Sequence, residues 1–439
     1  MIKPILPAID KRLIVLLSAL SLGPLLFGCV APWSRLILMI GIGLTFIAAH
    51  VGRPIRLTPR MLVGPGILIG LASVAVLQWV GALTPSNPAP LVPATVDADA
   101  TLRIIVLLLA YSGLLISLPR ILDTEEKRMQ FCSGIAFLGA AIALIGLTQL
   151  AAGNTTIYGL TQVSPFRKPF GPYFNVNHAA SLMSMAGLVA FGIWLGRARR
   201  LGPAASIGEK ADLIGRRLVG LTPTFLCLIG VFATGSRGGA IAVLSGFTAV
   251  LLLWALKRLH GKTAVLFNTV AGGSVLVGIF WGLTHLSRLS QFSRAFDESS
   301  YFRISMYRSA WKMLGDRPLF GFGGGTFETA FPAYQEVSLV GHVEYLHSDW
   351  ATLLVDFGLV GGLFGIGFIA FWLYLAWCNI RPLVQRKELG PTIGVIAACI
   401  SFSIHSIFDF SLQVPGNAVI LLSLVGWLVA NAKRKARHV

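Results

Sequence analysis

Charge is what this chain has least of. Only 12% of its 439 residues are Asp, Glu, Lys or Arg, against about 25% in a soluble domain. That shortfall excludes an ordinary water-facing surface. Acids are the scarcer sign, 18 against 36 Lys and Arg, and the net charge is +18. The five cysteines, Cys29, Cys132, Cys227, Cys378 and Cys399, form no Cys-x-x-Cys pair. This excludes a disulfide framework or zinc spacing and leaves small buried hydrophobes. No Asp-x-Asp stands near a nucleotide-sugar fold, and no metal-ligand cluster is evident. No fixed-period repeat and no inverted pair of broken helices is visible, which argues against a transporter.

What the chain has is apolar length. Hydrophobic residues make up 55%, and runs of roughly 18 or more recur throughout, the mark of membrane-spanning helices. Twelve are expected: 13–30, 35–51, 62–82, 101–118, 131–152, 178–196, 218–235, 238–256, 263–286, 350–377, 391–411 and 414–431. Backbone groups in hydrocarbon must be satisfied within the segment, so the fold class is an all-α integral membrane protein. The first span resembles a signal peptide, but Phe27 is too large for the lipoprotein-like Leu26-Phe27-Gly28-Cys29 pattern, and it reads as a retained helix.

Topology accounts for most of the positive charge without nucleic acid. With both termini in the cytoplasm, each inner loop holds Lys or Arg, for example Arg53, Arg56 and Arg60, or Arg197, Arg199 and Arg200. The 287–349 loop then lies outside. Four parts follow: N-terminal helices 1–152, central helices 153–286, an outer loop 287–349 expected to carry the active site, and C-terminal helices 350–439.

A loop as long as 287–349 is expected to have its own structure and a task. From Tyr301 to Leu314 it reads as helix, with Phe302, Met306, Ala310 and Met313 on one face and Arg303, Tyr307 and Arg308 off it. Asp316-Arg317-Pro318 ends that helix. Gly321, Gly323, Gly324 and Gly325 follow, able to bring backbone close to a ligand, but without the Gly-Lys-Ser/Thr ending of a phosphate loop.

The loop's cations break the inside rule, as does Arg237, set among small residues in the turn Thr234-Gly235-Ser236-Arg237-Gly238-Gly239. Small neighbours leave room for an anion, and a guanidinium binds phosphate bidentately. Arg237, Arg303 and Arg308 are therefore candidate anion ligands; snorkelling is the alternative. His347 closes the outer loop, and an imidazole there can act as a general base near neutral pH. Glu344 or Asp349 could fix its tautomer. Asn177 and His178 stand where a second outer loop re-enters the membrane and could meet sugar hydroxyls or cap the helix. His405 and Asp409 are four apart and share a helix face. Ionisable groups inside a membrane are functional candidates, though a structural polar clamp fits these two equally.

Four motifs together resemble the O-antigen ligase and polymerase superfamily. They are His347-Ser348 followed by Gly358-x-x-Gly361, the stretch from Arg303 to Phe327, Ser236-Arg237-Gly238, and Asn175-Val176-Asn177-His178. They lie between about 170 and 415; the first 150 residues match in hydropathy alone. Ile241 stands where the ligase arginine pattern often has leucine. The resemblance implies a glycosyltransferase C-type helical fold in a bacterial inner membrane, with its active site at the periplasmic face. It implies an undecaprenyl-pyrophosphate-linked glycan donor, inversion at the anomeric carbon, and no metal, nucleotide sugar or other cofactor. His347 would deprotonate the acceptor hydroxyl while Arg237 and Arg303 hold the pyrophosphate. The expected acceptor is lipid A core. Polymerisation of an O-antigen or exopolysaccharide, or protein O-glycosylation, are alternatives within the superfamily. A lipid-glycan transporter or a non-catalytic scaffold lies outside it. Membrane lipids are the other expected partners.

Overall fold

The computed structural model describes residues 9–52, 57–83, 92–162, 169–196, 206–258, 290–336, 342–381 and 386–435. The helices are α1 (Lys11–Leu25), α2 (Pro32–His50), α3 (Pro59–Gly81), α4 (Ala98–Ile121), α5 (Glu125–Ala151), α6 (Val176–Gly196), α7 (Ile207–Ala233), α8 (Arg237–Arg258), α9 (Ser290–Asp316), α10 (Asp349–Ile380), α11 (Arg386–Phe408) and α12 (Pro415–Lys435). The only pairing of strands among the described residues is a short hairpin, Thr156–Ile157 with Thr161–Gln162.

The chain is a multi-pass α-helical membrane protein. Ten helices among the described residues are long and apolar enough to cross a bilayer, each at an expected span. The expected span 263–286 lies outside the described residues. The first, 13–30, is cut short. Helix α1 has 15 residues, a rise of about 22 Å against a hydrocarbon core of about 30 Å. It stops because Pro24 precedes a turn in which Phe27, Gly28 and Cys29 all have positive φ. That turn packs so closely that a Cβ on Gly28 would lie 2.7 Å from Val414.

Helix starts follow sequence chemistry. Asp97 caps α4 by accepting from the Ala100 N–H at 2.9 Å, and Thr124 caps α5. Ser206 and Glu209 form a capping box on α7, and proline opens α2 and α3. In lipid, helices associate through close packing rather than the hydrophobic effect, so small residues mark the contacts. A Cβ on Gly192 of α6 would lie 2.6 Å from the Gly390 carbonyl oxygen of α11. Four of the five free cysteines are buried and Cys378 is half-buried.

At one end of the bundle, the starts of α6, α8, α10 and α12 meet the end of α11. The Asp349 N–H donates to the Asp409 carbonyl at 3.1 Å. Asn417 at the head of α12 accepts from the Tyr173 hydroxyl at 2.7 Å and donates to the His178 carbonyl at 2.9 Å. Helix α9 lies against this end. Its face Met306, Ala310 and Met313 is buried, as the spacing predicts, but it begins earlier than Tyr301.

Candidate active site

The turn before α8 builds half of a polar pocket. Gly235 takes a φ of 67°, which ends α7. Ser236 then caps α8, its Oγ accepting from the Gly239 N–H at 3.1 Å. Arg237 is thereby fixed in the first turn, where unpaired N–H groups favour anions. Gly239 lets α8 approach α6, since a Cβ there would lie 2.6 Å from that of Ala180. Arg303 arrives from α9 on the same pocket of about 150 Å³, lined also by Asn177, His405 and Phe408. Two guanidinium groups around so small a space repel each other unless an anion lies between them. Arg308, expected to join them, is exposed and does not line this pocket. Five residues further along a helix, it points to a different face.

Beside the pocket lies a cluster of imidazoles around one carboxylate. Asp409, just beyond the end of α11, is almost fully buried. His347 Nδ1 stands 3.4 Å from its Oδ1; His178 Nε2 and His405 Nε2 stand 3.7 and 3.9 Å from its Oδ2. Burial opposes the Asp409 charge. The hydrogen bond from His347 and the neighbouring His178 and His405 outweigh it and hold the carboxyl below the usual carboxylate range. A carboxylate only accepts, so Nδ1 of His347 carries the proton in this pair. Its Nε2 then presents a lone pair, on a side chain still 27% exposed.

The frame around His347 is aromatic and hydrogen-bonded. The Phe410 ring stacks on Tyr345 at 4.4 Å and meets His347 edge-on at 5.2 Å. The Tyr307 hydroxyl of α9 donates to the His347 carbonyl at 2.7 Å. Ser348 caps α10 immediately after it.

The carboxylate facing His347 is therefore that of Asp409, where sequence spacing favoured Glu344 or Asp349. Asp349 instead accepts from the Leu412 N–H at 3.1 and 3.0 Å. Glu344 lines a second, larger groove of about 610 Å³. That groove is largely apolar and is bounded by α2, α3, α4, α10, α11 and α12. Phe402, Ser403 and Ser406 of α11 face it, while His405 and Phe408 face the arginine pocket. The two cavities thus lie on different sides of α11. Asn175 settles the neighbouring turn, its side chain accepting from the Asn177 N–H at 2.9 Å, which leaves Asn177 on the pocket. Among the described residues no group of His, Cys, Asp and Glu is spaced to hold a metal ion.

Three things missed in the sequence shape the site: the Asp409–His347 pair, Tyr307 and Phe410; a buried acid, Asp356, was missed as well. An acid alone in an apolar span is itself a signal, and Asp356 gave that signal.

The membrane helix bundle thus sets a cationic pocket, suited to an anionic group, beside an imidazole–carboxylate pair. Residues 222–366 match the family model described as O-Antigen ligase. The matched stretch contains Arg237, Arg303 and His347 and ends before His405 and Asp409. The teichuronic acid biosynthesis protein TuaE of Bacillus subtilis (strain 168) is 26% identical over 210 residues. That alignment covers 45% of this chain and 41% of the relative, so the chain spans under half of the relative's length. The resemblance to the O-antigen ligase and polymerase superfamily is thus supported by the match over residues 222–366 and by this relative.

Proposed function

We propose that the protein transfers a glycan from undecaprenyl pyrophosphate to an acceptor hydroxyl of lipid A core at the periplasmic face of the bacterial inner membrane. Both termini would then be cytoplasmic. The observation that carries this reading is the convergence of Arg237 and Arg303 on one pocket beside His347 and Asp409.

His347 Nε2 takes the proton of the acceptor hydroxyl. That oxygen attacks the anomeric carbon from the side opposite the pyrophosphate. The bond from carbon to the phosphate oxygen breaks, and its electron pair leaves with the pyrophosphate. Arg237 and Arg303 stabilise the charge that develops there. Asp409 stabilises the imidazolium formed, and the glycosidic bond inverts. Two permanent cations supply the charge that a divalent metal supplies elsewhere. Asn177 and His405 form part of the pocket wall, and His178 supports Asp409 beside it.

The test is reconstitution of the purified chain with an undecaprenyl-pyrophosphate glycan and lipid A core. Product is expected from the intact chain, unaffected by a chelator. His347→Ala is expected to lose about a thousandfold in rate, the middle of the range for a lost general base. Full product from that variant would remove the histidine from the mechanism. Strong inhibition by chelator would overturn the metal-free chemistry.

A second reading is polymerisation, in which the acceptor is another lipid-linked glycan. The Bacillus relative favours it, being named for teichuronic acid biosynthesis. Ladders of product from donor alone would decide for this reading.

A further inference from the structure

Helix α10 is broken at Gly358, which has φ 62° and ψ −157°, a conformation open essentially to glycine. A break leaves backbone groups of the adjoining turns without helical partners. The glycine-rich segment after α9 takes up four of them. Phe322 and Gly323 donate to the Val355 and Asp356 carbonyls, both at 3.0 Å. Leu359 and Val360 donate to the Pro318 and Leu319 carbonyls at 2.8 and 3.1 Å. The glycines thus bring backbone against helix α10 rather than against a phosphate.

Two side chains complete the join. Gln78 of α3, fully buried, donates to the Phe320 carbonyl at 2.5 Å and the Asp356 carbonyl at 2.8 Å. Its Oε1 accepts from the Gly324 N–H at 3.1 Å. The Asp356 carboxylate accepts from the Gly325 N–H at 2.8 Å, and the N–H groups of Thr326 and Phe327 face it as well. A carboxylate is all acceptor and suits a row of N–H donors; an asparagine side chain offers one acceptor oxygen. A buried acid on a membrane helix is costly, and Asp356 has no part in the transfer chemistry above.

The join lies between the two halves of that chemistry. Upstream of it is α9, which carries Arg303. The outer stub of α10, from Asp349 to Phe357, begins two residues after His347. We propose that Asp356, with Gln78, is a positioning residue: it clamps the glycine loop onto the Gly358 break and so keeps Arg303 and His347 in register. The catalytic half of this inference rests on the proposed transfer reaction; the clamp itself does not.

The experiment is hydrogen exchange by mass spectrometry on the full chain in lipid nanodiscs, followed by transfer kinetics. In Asp356→Asn, peptides covering 317–330 are expected to exchange at least about tenfold faster, the scale of leaving a buried N–H donor without its acceptor. Peptides from α6 and α12 should be unchanged. The transfer kcat should fall about tenfold to a hundredfold, as for a small misplacement of reacting groups, with donor KM little changed because Arg237 stays in place. Asp356→Glu should restore both, since a glycine loop can shift to a longer carboxylate. Gln78→Met gives a second, uncharged break of the same join if Asp356→Asn does not fold. Unchanged exchange at 317–330 in the folded variant would overturn the clamp. So would exchange that rises equally in every helix. Loosened exchange with an unchanged kcat would overturn positioning. Absence of transfer by the intact chain would instead count against the proposed function, while the exchange result still decides the clamp.

Discussion

Asp409 and Asp356 are both buried carboxylates at the same end of the bundle, yet their surroundings differ in kind. Asp409 is faced by three imidazoles. Asp356 is faced by backbone N–H groups. Imidazoles exchange protons near neutral pH, whereas backbone amides do not. The first setting can balance a positive charge that comes and goes on an imidazole, whereas the second offers no group that takes up a proton and holds backbone in place. A buried acid is thus read by its donors, not by its burial.

Breaking each side of this contrast gives graded outcomes. Asp409→Asn should cost the most, about a hundredfold to a thousandfold in transfer rate, because the His347 tautomer and the imidazolium both lose support; a fall of less than about threefold in steady-state assays would separate Asp409 from the chemistry. Gly358→Ala should come next. A Cβ there would lie 2.4 Å from the Leu319 carbonyl, so the loop must detach, with a rate loss of about tenfold to a hundredfold, seen alongside faster proteolysis near 317–330. Arg237→Lys should lose about tenfold, since a point charge replaces a bidentate fork, and the loss should fall on donor turnover. Arg308→Ala should alter the rate less than about twofold, as for an exposed side chain away from the site. A large loss there would return Arg308 to the pyrophosphate pocket.

A pH prediction follows from Asp409. Its folded carboxyl is held below the ordinary range, so its contribution to stability is complete above that ordinary range. The contribution is lost as pH falls from there through the depressed value. Thermal unfolding in detergent should show wild type losing more stability than Asp409→Asn between neutral pH and about pH 3. Parallel losses in the two proteins would mean that the carboxylate is not held by its imidazoles.

Much of the architecture was legible from composition and period. Apolar runs located the ten spans because an unbroken apolar stretch of that length crosses a bilayer as a helix, and Met306, Ala310 and Met313 marked the buried face of α9. Within the site, Arg237, Arg303 and His347 stood out as charged or titratable groups at membrane boundaries. The partner of His347 was not legible, because it comes from just beyond α11, sixty-two residues further along. Local spacing favours Glu344 and Asp349, and hydrogen bonding to Leu412 removes Asp349 from that role. The glycine run was visible, but not its purpose. What it packs against, the Gly358 break and Gln78 of α3, lies far away in the chain.

The sequence by itself determined that the chain crosses a membrane many times and which cations and imidazoles lie near the ends of its spans, since hydropathy and charge act residue by residue. Only the tertiary structure decided which carboxylate meets which partner, which arginines share a pocket, and where the glycine loop is anchored. Those pairings depend on helices distant in sequence being brought within hydrogen-bonding range, and no local pattern records that distance.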